Sequence, residues 1–253
     1  MTPIVVFDID GVVRDVGGSY RRAIADTVEH FTNNAYRPTV EDLDRLKSEG
    51  IWNNDWEASQ ELVYRYFEAQ GQQRTHISLN YDALVDFFQS RYRGANWDGY
   101  ICSEPLLLQP SYLEQLTNAG IPWGFFSGAP RDEAMYVLSR LGLNSPVLVA
   151  MEDAPGKPDP TGLFATVRQL EAESSAIYVG DTVADMYVVE KARNLQDNRT
   201  WIAVGILPPH VLEIPLRRDA YTATLQKAGA AIVLDNVQEL TPARIYGLLN
   251  LNL

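Results

Sequence analysis

Two aspartates, Asp8 and Asp10, stand where a short apolar run, Ile4-Val5-Val6-Phe7, breaks into Asp8-Ile9-Asp10-Gly11. An i, i+2 pair at a strand end sends both carboxylates toward the same side. At about 4 Å and an effective dielectric near 20 they repel by about 4 kcal/mol, so the pair requires a cation, a shared proton or separation. A surface turn with Asx-type hydrogen bonds is the simpler alternative. A second acidic group closes another apolar run, in Val179-Gly180-Asp181-Thr182-Val183-Ala184-Asp185. Asp181 could ligate a metal and Asp185 support it from the first helical turn, or both could be carboxylates stabilised by a helix N-terminus. Between these groups, Phe125-Phe126-Ser127-Gly128-Ala129-Pro130-Arg131 reads as a strand ending in Ser-Gly before a helix entered at Pro130. Such a turn offers a hydroxyl and backbone N–H groups to a phosphate-sized anion. Finally, Pro155-Gly156-Lys157-Pro158-Asp159-Pro160 fixes Lys157, one of only four lysines, in a stiff non-helical loop.

The elements that must carry these residues follow from hydrophobic patterning. Short apolar runs at 4–7, 123–126, 146–150, 176–179, 200–204 and 231–234 alternate with stretches of helical spacing. That alternation predicts an α/β fold, a mainly parallel Rossmann-like sheet with helices on both faces. A parallel crossover needs only about 30 residues, whereas Asp8 and Ser127 are 119 positions apart. The excess reads as an inserted α-helical domain at 14–100, with helices near 19–33, 39–49, 55–70 and 80–93, leaving 1–13 and 101–253 as the core. The insert holds 14 of the chain's 26 aromatic residues. Filling a small bundle's core is the plain reason for them, and a ring-lined surface facing a substrate is the sharper one.

Composition narrows the partners. The net charge of −12 would repel a phosphodiester backbone or an anionic lipid surface, which disfavours nucleic acid and membrane. A lone Cys102 cannot make an internal disulfide, and with three scattered histidines it cannot build a zinc cluster. These features, with an N-terminal apolar run too short for a secretory segment, lead to the expectation of a cytoplasmic protein.

In order along the chain, strand-DxDG, strand-Ser-Gly, Gly-Lys-Pro and strand-Gly-Asp-x-x-x-Asp all fall at the carboxyl ends of strands, the edge where open α/β sheets bind ligands. In this the sequence resembles the haloacid dehalogenase-like hydrolase superfamily, whose four motifs match Asp8/Asp10, Ser127, Lys157 and Asp181/Asp185. The insert resembles the helical cap of its subfamily I. The resemblance implies Mg²⁺-dependent phosphoryl transfer to Asp8, with Asp10 as general acid and then general base. It implies a metal held by the Asp8 carboxylate, the Asp10 carbonyl and Asp181, with Asp185 supporting. Ser127 and Gly128 would cradle phosphoryl oxygens and Lys157 would neutralise charge. The expected activity is a phosphatase on a small phosphorylated metabolite, from a monomer or homodimer. A phosphosugar mutase using the same intermediate, and a non-catalytic binder of a phospho-ligand or partner, are the alternatives. Asp10 disfavours a dehalogenase, whose halide leaving group needs no proton. A phosphonate hydrolase would want a Schiff-base lysine from the cap, where the only lysine, Lys47, ends a charged run that reads as a solvated helix. Arg131 and Asn54 are expected to contact substrate, although Asn54 also suits a helix N-cap. Arg21 and Arg22 are expected to be solvent-exposed. Arg14 departs from the apolar or small residue common at its position in the family.

Overall fold

The computed structural model describes residues 3–170, 175–196 and 199–249, which form two compact units, one of residues up to Asp15 and from Pro105 onward, the other Val16–Glu104. In the first unit six strands make one wholly parallel sheet in the order β3-β2-β1-β4-β5-β6. They are β1 (Ile4–Phe7), β2 (Trp123–Phe126), β3 (Leu148–Val149), β4 (Ala176–Gly180), β5 (Trp201–Ile206) and β6 (Ile232–Leu234). β1 lies between β2 and β4, and its residues are buried throughout, as expected for an apolar run without alternation.

The pleat divides that run between two cores. Val5 and Phe7 join an apolar cluster with Leu113, Leu116, Val137, Leu138 and Ile245, whereas Ile4 and Val6 join one with Leu163, Val167, Met186, Val189 and Leu225. One layer of helices therefore supplies each cluster, which gives the three-layer Rossmann-like arrangement that the alternating runs predict.

The Val16–Glu104 unit is helical: α1 (Tyr20–Phe31), α2 (Val40–Lys47), α3 (Asp55–Ala69) and α4 (Tyr81–Tyr92), with α1 packed on α3 and α4. The first unit continues with α5 (Pro110–Asn118), α6 (Arg131–Arg140), α7 (Thr161–Gln169), α8 (Val183–Leu195), α9 (Pro209–Leu212), α10 (Pro215–Lys227) and α11 (Pro242–Leu248). Local chemistry sets the helix starts. Thr39 and Asp42 form a reciprocal capping box on α2, Asn54 caps α3 and Asn80 caps α4.

Two expectations are corrected in the helical unit. Its core is filled mainly by aliphatic side chains such as Ile24, Val28, Leu46, Leu62 and Leu84; of its rings only Tyr20, Phe88 and Tyr92 are buried, and the other 11 of the 14 are half-buried. Several of those rings stack on one another or lie under arginines, as in Tyr36–Tyr66, Arg22 over Tyr100 and Arg74 over Tyr64. Arg21 and Lys47 are buried, 4% and 8% exposed, because each finds an acid partner, Asp44 and Asp55 respectively, at 2.7 Å. Lys47 Nζ also donates to the Trp52 carbonyl, so this lysine ties down the loop that follows α2. Arg22, in contrast, is exposed as expected. Among the described residues no helix is long and apolar enough to cross a membrane.

Candidate active site

The first unit alone brings the acidic motifs together. Phe7 pairs in register with Val179, and the Asp8 N–H continues that ladder by donating to the Val179 carbonyl at 2.8 Å. Asp8 therefore leaves β1 next to the point where Gly180-Asp181 leaves β4. Carboxylate oxygens of Asp8, Asp181 and Asp185 all lie within 4.8 Å of one another, and all three residues are buried.

Two glycines make this proximity possible. Gly11 has φ +73°, and a Cβ there would overlap Asp181 Oδ2. A Cβ on Gly180 would overlap the Asp185 side chain. The residue types of the two acidic motifs are thus packing requirements as well as chemical ones.

Asp185 is the third helical residue of α8 and closes a capping box with Thr182. Its Oδ2 accepts from the Thr182 N–H at 3.0 Å and hydroxyl at 2.6 Å. Its Oδ1 accepts from the Tyr178 hydroxyl at 3.1 Å and faces Lys157 Nζ at 2.7 Å. Lys157 reaches Asp8 Oδ1 at 2.7 Å as well, so one ammonium spans both carboxylates. It does so between the rings of Phe126 and Tyr178, with centroids at 5.3 and 5.4 Å. The two rings exclude water and offer their negative faces to the cation.

Burial would lower the Lys157 pKa, but Asp185 and Asp8 outweigh it and hold the ammonium above its ordinary range. Asp8 moves the other way. Burial first, then the nearby charges of Asp185 and Asp10, push its carboxyl up to about 7 against the pull of Lys157. Lys157 bridges Asp8 and Asp185, and Arg14 pairs with Asp10. The converging buried carboxylates of Asp8, Asp181 and Asp185 make an all-oxygen donor set, which fits a hard divalent cation such as Mg²⁺.

Ser127 follows directly on β2 and is buried. Its N–H donates to the Val149 carbonyl at 3.0 Å and its Oγ accepts the Ala129 N–H at 3.1 Å, which folds the Ser127-Gly128-Ala129 turn. On the other side Tyr221 of α10 donates its hydroxyl to the Asp181 carbonyl at 3.1 Å.

Asp10 carries the most exposed carboxylate of the four, with Arg14 bonded to it. Arg131 begins α6; its guanidinium pairs with Asp153, and its N–H is taken by the Glu152 carboxylate. Asn54 belongs to the helical unit, and its side-chain oxygen is spent on the N–H groups of Trp56 and Glu57 at 2.9 and 3.3 Å. Sequence reasoning missed Tyr178 and Phe126 as walls for Lys157. Their aromaticity inside strand runs was the available signal, but packing each core accounts equally well for such residues.

Comparison with known proteins agrees with this geometry. Residues 2–192 match the family model for haloacid dehalogenase-like hydrolases, and the chain belongs to that family. It is 30% identical over 238 residues to an imidazoleglycerol-phosphate dehydratase of Phytophthora nicotianae, a match that spans 91% of this chain and 49% of the relative. The chain thus spans about half the length of that curated relative. Among solved structures, a phosphonoacetaldehyde hydrolase-like protein of Oleispira antarctica superposes with a TM-score of 0.72 at 16% identity, covering 98% of this chain and 93% of the other. A family hydrolase of Deinococcus radiodurans, solved with phosphate and sodium bound, gives 0.64 at 18% identity, covering 99% and 98%. At such identities these two likenesses establish the fold.

Proposed function

We propose that the protein is a Mg²⁺-dependent phosphatase acting on a small phosphorylated metabolite through an aspartyl phosphate on Asp8. The observation that carries this reading is the convergence of Asp8, Asp181, Asp185 and Lys157 at the carboxyl edge of the sheet, an all-oxygen carboxylate set that suits a divalent cation. The Asp8 and Asp181 carboxylates and the Asp10 carbonyl would hold the cation, and Asp185 would support them by fixing Lys157. When bound, the cation offsets negative charge on the phosphoryl group and its nucleophile.

The chain's own groups perform the proton and phosphoryl transfers. An Asp8 oxygen attacks phosphorus, the bond from phosphorus to the leaving oxygen breaks, and Asp10 gives that oxygen a proton. Asp10, now a carboxylate, takes a proton from water as the water oxygen bonds to phosphorus. The bond from Asp8 to phosphorus then breaks, releasing inorganic phosphate and restoring Asp8. Lys157 keeps Asp8 oriented and offsets the charge of an approaching phosphate, while the Ser127 hydroxyl and the Gly128 N–H bind phosphoryl oxygens. The inserted helical unit, by its place in the chain between the first and second motifs, serves in this reading as the cap that restricts access to small esters.

The test is a Mg²⁺-dependent phosphate-release screen over sugar phosphates, phosphoglycolate, amino-alcohol phosphates and nucleoside monophosphates. The name of the Phytophthora relative adds imidazole-bearing phosphate esters to that panel. Release from at least one ester, abolished by Asp8→Asn, is expected. Isomer formation without net release would make the protein a mutase, and no turnover of any ester would make it a binding protein.

A further inference from the structure

Arg14 is wholly buried, 0% exposed, and its side chain turns back onto Asp10. Nε donates to Asp10 Oδ1 at 2.7 Å and Nη2 forms an ion pair with the same oxygen at 2.6 Å. The backbone makes this return possible. The Ile9 carbonyl accepts the Val13 N–H at 2.8 Å, and the Gly11 N–H donates to the Arg14 carbonyl at 2.9 Å, closing a tight turn from Asp10 to Arg14. A bridge from Arg14 to Leu106 anchors the far side of that turn.

A guanidinium is permanently charged and carries only donors. Burying it is costly unless partners compensate, and here one of its partners is the carboxylate assigned to proton transfer. Both contacts fall on one oxygen. A proton on Oδ1 would point at the Nε–H donor, so the neutral acid must carry its proton on Oδ2.

Resting on the phosphatase reading above, we infer that Arg14 is a positioning residue that fixes the Asp10 side chain and makes Oδ2 its single proton-exchanging oxygen. The proton given to the leaving oxygen leaves from Oδ2, and the proton taken from water in the second half returns there. The residue type matters because an apolar side chain at position 14 would pack but would leave the carboxylate free to rotate, with its two oxygens equivalent.

A double-mutant cycle on the full chain tests this, using Arg14→Met, Asp10→Asn and the pair, with steady-state phosphate release and thermal midpoints measured for each. Arg14→Met is expected to lower kcat about 10- to 100-fold, the scale of a misplaced reacting group, with KM changed less than about twofold. On the Asp10→Asn background the same substitution is expected to cost less than about twofold, because the oxygen it positions no longer transfers a proton. Equal losses on both backgrounds, or an unchanged kcat in a folded Arg14→Met protein, would overturn the inference. If Arg14→Met does not fold, Arg14→Lys serves in the same cycle; it keeps the charge and one donor and should lose less, again only where Asp10 is present. Failure of the phosphatase reading is separate, since then the unaltered protein releases no phosphate or Asp8→Asn releases as much.

Discussion

The two units handle charge in opposite ways. In the helical unit acids and bases are matched locally: Arg21 with Asp44, Lys47 with Asp55, Arg45 with Asp42, and Arg65 with Glu49 and Glu61. At the carboxyl edge of the sheet, the carboxylates of Asp8, Asp181 and Asp185 converge within 4.8 Å of one another, and burial first, with the charges of Asp185 and Asp10 adding to it, drives the Asp8 carboxyl up to about 7. Local matching stabilises a fold. A buried surplus of one sign is costly, and it persists where a ligand of opposite charge completes the balance.

The same substitution made in each unit sharpens this contrast. Lys157→Met should lower phosphate release by about 10²- to 10³-fold, as the loss of a charge-stabilising group does. It should also cost the metal-free fold about 3–5 kcal/mol, because Asp8 and Asp185 then lose the cation that bridges them. Lys47→Met removes a less deeply buried ammonium, 8% exposed against 1% for Lys157, from Asp55, which is partly exposed, and should cost about 1–3 kcal/mol by thermal or denaturant unfolding. Equal stability losses from the two would break the contrast.

A pH series separates the units further. Because Asp8 has a folded value of about 7, far above the ~3.9 of an unfolded aspartate, the metal-free fold favours its protonated form. That contribution is complete below about pH 4 and is lost as pH rises through about 7. If Mg²⁺ binds Asp8 as proposed it takes the ionised form, so the rise in thermal midpoint on adding Mg²⁺ should be larger at about pH 8 than at about pH 5.5 by a few degrees. A shift that is equal at both, or larger in acid, would remove Asp8 from the cation site. The smallest effect is expected from Arg45→Ala, an exposed pair on α2, within about 0.5 kcal/mol of the unaltered protein in the same unfolding assay.

Much of this could be read in the chain before any coordinates. Ile4–Phe7 was legible as a buried strand because four consecutive β-branched and aromatic residues stop at a polar turn. The helices of the insert were legible because their apolar spacing is regular and Gly50, Gly71 and Arg37-Pro38 break it. The strand read at 146–150 is regular only over Leu148–Val149, since an edge position asks less pairing of it. What stayed hidden were choices of partner between one element and another. Nothing local in Glu41-Asp42-Leu43-Asp44-Arg45-Leu46-Lys47 says that its last residue is buried against Asp55, while Arg45 two positions earlier is not. Likewise the aromatic walls of Lys157 come from two separate strands, and only the sheet order makes them neighbours.

Trapping the phosphorylated protein during turnover is the decisive measurement. With substrate and Mg²⁺, acid-quenched protein digested to peptides should carry a hydroxylamine-labile phosphoryl group on the peptide containing Asp8, and Asp8→Asn should carry none. Phosphate on any other peptide, or rapid release with no burst and no labelled Asp8, would remove that residue from the role assigned to it.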